Sequence, residues 1–396
     1  MKETKFKNTE IGKIPKDWKM YSIGKDCSVK ARIGWQGLTT SEYLQTGHYG
    51  LITSTDLIEG KVNWDTCVFV SEERYKQDTN IIVKNGDVLV SKDGTIGKVA
   101  VVSNLQYPTT LNSGVFVIRT KNEKITQEGL GLVFISPYFK DFIKRLTAGS
   151  TIVHLYQKDI VNFTFPIPTL PEQHHIASAL TSIDNLISSL GKLIEKKKNI
   201  KQGAMQQLLT GETRLKGFTE PWKEKKLGEV CSVKKGVRVV KRNLTTNGLY
   251  PVYQNTNFPL GYSNHYNVEA NTPFVIIGGS AGQIGICREK YWAADDCAFF
   301  ACHDIYKEYL YYVLLLNQSN ILHNVRTGTI PRLDRTFLSG MLVYISSNIA
   351  EQQAIATILT KMDDEITALE AKKAKYEAIK QGMMQQLLTG KIRLIS

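Results

Sequence analysis

Two glycine-rich stretches are the first candidates for chemistry, Lys92-Asp93-Gly94-Thr95-Ile96-Gly97-Lys98 and Gly278-Gly279-Ser280-Ala281-Gly282-Gln283-Ile284-Gly285. Closely spaced glycines leave backbone amides free to close around a phosphate. Neither stretch meets the specific spacing. A P-loop needs a glycine with four residues between it and Gly-Lys, and Ser or Thr directly after, whereas Lys92 and Val99 occupy those places. No Gly-x-Gly-x-x-Gly opens a helix. Both stretches are expected to be tight turns between strands, with Lys92, Thr95 and Lys98 in one and Gln283 in the other able to touch a nucleic-acid phosphate or base. Asn271-Thr272-Pro273-Phe274 is a near miss to the Asx-Pro-Pro-aromatic loop with which amino-group methyltransferases hold a flipped base. It carries Thr in place of the first Pro, has no upstream glycine-rich cofactor loop, and falls about where the first half has the turn Asn85-Gly86-Asp87. Ser136-Pro137-Tyr138-Phe139 is weaker still.

Metal and nucleophile chemistry find less support. The six cysteines, Cys27, Cys67, Cys231, Cys287, Cys297 and Cys302, contain no Cys-x-x-Cys pair, which argues for reduced thiols over a disulfide framework or zinc ribbon. His174-His175 heads a long helical stretch, but the matching residues later in the chain are Gln353 and Ala354. No triad or carboxylate pair can be assigned, so no catalytic residue and no metal ligand is expected. The net charge of +13 favours a polyanionic partner. A membrane surface would need a basic helix with a broad apolar face, no apolar run approaches the roughly 20 residues of a membrane span, and Met1 to Lys7 lacks the apolar core of a signal peptide. The expectation is a cytoplasmic protein without membrane partners.

Base reading calls for Arg, Lys, Asn, Gln and Thr on loops with aromatics nearby, because these side chains match the donors and acceptors of base edges. In the first half the candidates are Lys30, Arg32, Gln36, Thr110, Asn112 and Ser150, in addition to Lys92, Thr95 and Lys98. In the second half they are Lys234, Lys235, Arg238, Lys241, Arg242, Asn255, Tyr262, Arg326, Thr329 and Arg332, in addition to Gln283.

The elements that must position these residues come in two copies. Lys201-Gln202-Gly203-Ala204-Met205-Gln206-Gln207-Leu208-Leu209-Thr210-Gly211 returns with one change as Lys380 to Gly390, and an internal repeat orders the rest of the reading. Trp18, Gly24 and Cys27-Ser28-Val29-Lys30 are matched by Trp222, Gly228 and Cys231-Ser232-Val233-Lys234, an offset of 204. Towards the far end the offset is 179, pairing Gly149-Ser150 with Gly328-Thr329 and Thr169-x-x-Glu172 with Asn348-x-x-Glu351, so the second copy is 25 residues shorter (204 − 179). Between the matched ends little survives beyond Gly94 to Gly97 against Gly282 to Gly285.

Within the first copy, Ile81 to Val83 and Val88 to Val90 flank Asn85-Gly86-Asp87 as strand, turn and strand. Val99 to Val102 and Val115 to Ile118 read as further strands, and Leu130 to Leu146 as a helix. From Thr169 the apolar period becomes that of a coiled-coil seam, Ile176, Leu180, Ile183, Ile187, Leu190 and Ile194. A second seam follows, Ile355, Leu359, Met362, Ile366 and Leu369, with Lys373 and Lys380 as interruptions. Each helix opens on an expected capping box, Thr169 with Glu172 and Asn348 with Glu351. Gly203 and Gly382 inside the helices are read as sites of close helix packing, the alternative being the approach of a partner protein's backbone. The expected architecture is α+β. Two mixed α/β domains, 1–168 and 212–348, alternate with a long helix at 169–211, stopping after Thr210, and a segment 349–396 that holds a second long helix from about Ala350 to Thr389 and a C-terminal tail; the helices pair antiparallel as a coiled coil, an internal pseudo-twofold repeat with a globular unit at each end.

Gly86-Asp87-Val88-Leu89 with Gly94-x-x-Gly97, Ile167-Pro168-x-x-Pro171-Glu172-Gln173-x-x-Ile176 with the reduced copy Glu351-Gln352-x-x-Ile355, and Gln206-Gln207-Leu208-Leu209-Thr210-Gly211 with its copy together resemble the specificity subunit of type I restriction-modification systems, over essentially the whole chain. The second copy departs by lacking the Gly-Asp turn and the Pro pair. The resemblance implies a non-catalytic subunit whose two target-recognition domains each read half of an asymmetric bipartite site in double-stranded DNA, with the helices setting the spacer. It implies methyltransferase subunits as partners, two copies expected, which bind S-adenosylmethionine, and restriction subunits joining them; this chain itself is expected to hold no cofactor. A self-contained methyltransferase or nuclease, or a coiled-coil scaffold without a DNA role, are the alternatives that the residues alone leave open.

Overall fold

A computed structural model describes residues 4–148, 154–240, 242 and 244–395. The chain forms two compact units, one built from Met1–Ser189 with Lys373–Ser396 and the other from Leu190–Lys372.

The first unit is organised on the strand Val88–Ser91, which is buried on both faces and therefore reads as an unbroken apolar run. Val88 and Val90 point into one core with Phe116, Ile118, Leu130, Phe134 and Phe139. Leu89, between them, points into the other with Ala100, Val115, Val117, Ile52 and Leu111, as the two-residue period of a strand requires. The sheet runs Cys27–Lys30, Val115–Thr120, Val88–Ser91, Val99–Val101, Gly60–Val62, Leu57–Ile58, and a smaller sheet of Thr109–Leu111, Tyr49–Ile52 and Val68–Val70 covers its second face.

Two expectations change here. Ile81 to Val83 is a 3-10 turn, Thr79–Ile81, running into an extended segment. The Arg119 guanidinium takes two of its carbonyls, donating to Asn80 O at 2.9 Å and Ile82 O at 2.7 Å, and Val83 N donates to Thr109 O at 3.0 Å, a single bond to a strand in place of a ladder. The single helix expected from Leu130 to Leu146 is two, Gln127–Ile135 and Pro137–Thr147. Pro137 has no N–H to continue the first helix, and Ser136 N donates to Val133 O to close it.

The second unit repeats this plan in reduced form. Its sheet is Cys231–Lys235, Cys297–Cys302, Pro273–Ile276, Ile284–Ile286, and the small sheet is Gly261–Ser263, Tyr250–Tyr253, Trp292–Ala293. Hydrogen bonding sets the true register between the units. Gly97 N donates to Ser91 O and Gly282 N to Ile276 O, an offset of 185 (282 − 97 and 276 − 91). Gly94 and Gly97, both at positive φ, therefore correspond to Gly279 and Gly282, also at positive φ. The pairing with Gly282 to Gly285 is out by three residues. Gly285 lies within a strand for a different reason: a Cβ there would come 2.2 Å from the Phe274 ring. Asn271, at φ +58°, occupies the turn position of Gly86, at φ +92°, so the methyltransferase-like stretch is that turn.

The long helices span Leu170–Leu209 and Ile349–Leu387 and pack together. Lys197 pairs with Glu365 at 2.7 Å and Lys201 with Asp363 at 2.5 Å, so numbering rises in one helix as it falls in the other and the pair is antiparallel. Lys380 pairs with Asp184 at 2.6 Å, the same contact made by the other copy of the repeated lysine. It therefore fixes register where the sequence read it as an interruption. Among the described residues nothing lies within 4 Å of a Cβ built on Gly203 or Gly382, so neither glycine marks close packing.

Glu172 and Glu351 do not complete capping boxes. Both carboxylates are fully buried. Glu172 accepts from Trp18 Nε1 at 3.1 Å and from Arg393 Nε and Nη2 at 2.7 and 2.8 Å. Glu351 accepts from Trp222 Nε1 at 3.1 Å and from Arg214 Nε and Nη2 at 2.7 and 2.9 Å. Half of one box remains, since Asn348 Oδ1 accepts from Glu351 N at 3.2 Å. The arginines lie just beyond the repeated stretch, whose leucines are buried in the same units: Leu208 and Leu209 beside Ile355 and Leu359, Leu387 and Leu388 beside Ile176 and Leu180.

Candidate nucleic-acid interface

In the first unit the turn after Val88–Ser91 is held from inside. Ser91 Oγ donates to Thr95 O at 2.6 Å and accepts from Lys98 N at 2.9 Å, leaving Thr95 exposed and Lys92 and Lys98 half-buried. The Lys92 amine lies 5.5 Å over the Phe116 ring. His154 forms an antiparallel bridge with Asp93, and its Nδ1 is 2.6 Å from Asp93 Oδ1. The Asn112 side chain donates to Tyr43 Oη at 2.5 Å and accepts from Gly114 N at 2.7 Å. Gly114 adjoins Asp93 in turn, with its Cβ direction 3.4 Å from Asp93 Oδ2. The structure thus brings Lys92, Thr95, Lys98 and Asn112 to one region, with Asp93, His154 and Tyr43 added.

Three first-unit candidates are placed elsewhere by burial. Arg32 is 1% exposed, and its guanidinium is consumed by Leu111 O at 2.9 Å, Gln77 Oε1 at 3.1 Å, Arg74 O at 3.3 Å and Thr110 Oγ1 at 3.3 Å. Desolvation lowers its pKa, as burial of a cation must. Thr110 and Gln36 are buried with it. None of the three has a face free for a base. Lys30 is exposed at the end of Cys27–Lys30, and Ser150 lies outside the described residues.

In the second unit the corresponding turn lies between two loops. Ser280 N donates to Asn255 O at 3.0 Å and Asn257 N to the Gln283 side chain at 3.3 Å, which pins loop 254–260 on one side. On the other side Gly279 N donates to Pro331 O at 3.2 Å, and Arg326 and Arg332 exchange backbone hydrogen bonds at 2.8 and 3.1 Å, closing a hairpin whose tip exposes Thr329. Arg332 Nη1 donates to Asp296 Oδ1 at 3.0 Å. Asn255, Gln283, Arg326, Thr329 and Arg332 therefore form one group. Lys234, Lys235, Arg238, Arg242 and Tyr262 are exposed, but no hydrogen bond or ion pair among the described residues joins them to it. Lys241 lies outside the described residues.

Residues that sequence reasoning missed are His154, Asp93, Tyr43, Asp296 and Phe258, the last 75% exposed on the pinned loop. Only Phe258, an aromatic between Asn257 and Pro259, carried a local signal. The others emerge from pairing across the sheet. Among the described residues no group of three His, Cys, Asp or Glu side chains gathers at metal-binding distance, and no helix is long and apolar enough to cross a membrane.

Two copies of one α+β unit, each with polar side chains gathered at the same turn, define a duplicated recognition fold. The family model for the type I restriction modification DNA specificity domain matches residues 15–202 and again residues 219–381, and the chain belongs to that family. The putative type I restriction enzyme MjaX specificity subunit of Methanocaldococcus jannaschii is 24% identical over 431 aligned residues, 99% of this chain and 98% of that protein. The MjaVIII specificity subunit of the same organism is 28% identical over 217 residues, covering 54% of this chain and half of that relative's length (50%). In fold, the S subunit of a type I restriction-modification system from M. genitalium is similar with a TM-score of 0.67 at 17% identity, over 93% of this chain and 96% of that one.

Proposed function

We propose that this chain recognises double-stranded DNA as the specificity subunit of a type I restriction-modification complex, each unit reading one half of an asymmetric bipartite site and the long helices setting the spacer. The observation that carries this reading is a common frame bearing different side chains at one turn: Asp93, Thr95 and His154 in the first unit, Gly278, Ser280 and Arg332 in the second. A repeat that served packing alone would have no reason to diverge at its exposed turn while keeping buried Glu172 and Glu351 each in contact with a tryptophan N–H and an arginine guanidinium. The net charge of +13 supplies the sequence-independent attraction to phosphates.

In this reading the chain contributes recognition, and methylation belongs to partner methyltransferase subunits, two in number, that bind S-adenosylmethionine; restriction subunits join them in the cytoplasm. Gln202, Gln206 and Gln207 in one helix and Gln381 and Gln385 in the other are exposed, and Gly203 and Gly382 have open space beside them. Near-identical exposed surfaces in two places suit two copies of one partner. Methylome sequencing of cells with and without the gene tests the reading. A two-part motif with different halves separated by unspecified bases is the expected result, and a single continuous motif or no gene-dependent methylation overturns it.

A further inference from the structure

We infer that His154 and Arg332 are equivalent specificity-determining residues, one for each half-site, and that Asp93 and Asp296 position them. The inference rests on the reading above for its ligand, double-stranded DNA, but the equivalence itself comes from hydrogen bonding. Lys92 O accepts from Leu155 N at 2.8 Å, and Ile277 O, its counterpart at the offset of 185, accepts from Leu333 N at 3.0 Å. The residues one step earlier, His154 and Arg332, form the antiparallel bridges to Asp93 and Gly278. The same strand–turn–bridge geometry thus delivers a cation-forming side chain to the same place in both units. No alignment by residue type pairs a histidine with an arginine there.

The partner of each side chain is the second observation. In the first unit the carboxylate comes from Asp93 and the residue facing it is Gly114; in the second unit Gly278 stands at the position of Asp93, and Asp296 at that of Gly114. The strands settle this correspondence, because Val115 pairs with Ser91 and Cys297 with Ile276. The acid has changed strands while staying beside His154 or Arg332, and each unit keeps glycine opposite it. Space explains the glycine in the second unit, where a Cβ at Gly278 would come 2.4 Å from Asp296 Oδ1, whereas at Gly114 the Cβ direction stands 3.4 Å from Asp93 Oδ2, an ordinary contact. One carboxylate, one glycine and one nitrogen-donor side chain are retained by two compensating changes in a region where little else matches.

The chemistry left over on each side chain is directional. Asp93 accepts from Nδ1 of His154, so Nε2 is the free atom, an acceptor for a cytosine or adenine amino group in the neutral ring and a donor to guanine N7 when protonated. Asp296 occupies Nη1 of Arg332, which leaves Nη2 and Nε for a bidentate contact to guanine O6 and N7. Both side chains are free to reach a groove, His154 at 53% and Arg332 at 57% exposure.

The test uses the full chain assembled with its methyltransferase subunits, with binding-site selection on randomised duplexes for wild type, His154→Ala, Arg332→Ala and Arg332→Lys, all checked for unchanged thermal unfolding. Arg332→Ala is expected to flatten preference at one G·C pair of one half-site by roughly 10- to 100-fold and leave the other half-site intact. Arg332→Lys, which keeps the charge but loses the fork, should relax the same position. His154→Ala should flatten one position of the opposite half-site. Two outcomes overturn the inference: folded variants that leave their half-site preference unchanged, or an Arg332→Ala variant that weakens all sequences equally and lowers the salt slope by about one, the mark of a phosphate contact. If the wild-type complex selects no two-part site, it is the proposed function that fails.

Discussion

Removing Arg393 should unlock the first unit and leave the second untouched. Its guanidinium, 9% exposed, donates to both oxygens of the fully buried Glu172 and to Asp17, and it lies 5.8 Å over the Trp18 ring. Arg393→Ala leaves Glu172 with only the Trp18 indole N–H, and stranding one member of a buried ion pair costs about 3–5 kcal/mol. The lower end applies because the indole bond survives. The Asp17 contact adds little, its side chain being 47% exposed and screened. At 1.36 kcal/mol per decade, about 3 kcal/mol is a roughly 150-fold increase in opening. A chain of two units does not have one unfolding free energy, so the assay is native-state hydrogen exchange. Trp18 N and Gln173 N report on the first unit and Gln352 N on the second. Arg393→Lys should recover part of the protection, since an ammonium cannot hold both carboxylate oxygens in a planar fork. Glu172→Gln with Arg393→Ala should be less destabilised than Arg393→Ala alone, because the stranded charge is gone. Asp17 gives a pH signature: hydrogen bonding to Arg393 lowers its pKa, so its contribution is present above the ordinary carboxylate range and lost as pH falls through the depressed value. Exchange at Trp18 N unchanged within about fivefold, or raised equally in both units, refutes the reasoning.

Arg32→Ala should destabilise the first unit by about 3 kcal/mol through its orphaned buried partners, read by the same exchange, while the salt slope of DNA binding stays as in wild type. A reduced slope would restore Arg32 as a phosphate contact. Gly285→Val should drive a side chain into the Phe274 ring and destabilise the second unit by about 1–3 kcal/mol or more, measured by chemical denaturation, with the first unit's exchange unaffected. Adding about four residues, one turn, to both long helices should change the spacer in the methylation motif and preserve both half-sites. Altered half-sites with the original spacer would remove the helices from that role.

What could be read from the chain was whatever depends on short-range pattern. The seam Ile176, Leu180, Ile183 is periodic and buried, and the helix ends fall within two residues of those expected at Thr169, Thr210, Ala350 and Thr389. The apolar runs of Val88 and Val115 became the double-faced central strands. What could not be read depends on which strand lies beside which. Glycine spacing alone put Gly282 to Gly285 opposite Gly94 to Gly97, because Gly285 imitates a turn glycine while serving Phe274. Glu172 and Glu351 stood at capping-box spacing, yet their partners Trp18, Arg393, Trp222 and Arg214 are 129 to 221 residues away and outcompete the local backbone amide. Arg32, Gln36 and Thr110 are the residue types that read bases, and only burial distinguishes a side chain that faces DNA from one that braces the loop behind it.

The same distinction explains how the turn can diverge. The frame is fastened by side-chain contacts: Gln173 Oε1 accepts from Thr126 N at 2.8 Å and Gln352 Oε1 from Tyr306 N at 2.8 Å, each glutamine joining the start of a long helix to the residue that opens a helix of its own unit, Gln127–Ile135 or Lys307–Leu316. At the turn the fastening common to both units is carried by the backbone, through Gly97 N to Ser91 O and Gly282 N to Ile276 O, and backbone bonds are indifferent to side-chain identity; Ser91 Oγ braces the first turn from beneath. His154 and Arg332 can therefore differ without cost to either fold, provided each keeps a carboxylate beside it. The carboxylate could change strands because the two backbone positions that supply it face each other across one gap, Asp93 with Gly114 and Gly278 with Asp296. A frame locked by side chains around a turn whose shared bonds are backbone is the arrangement under which a reader can change what it reads and still fold.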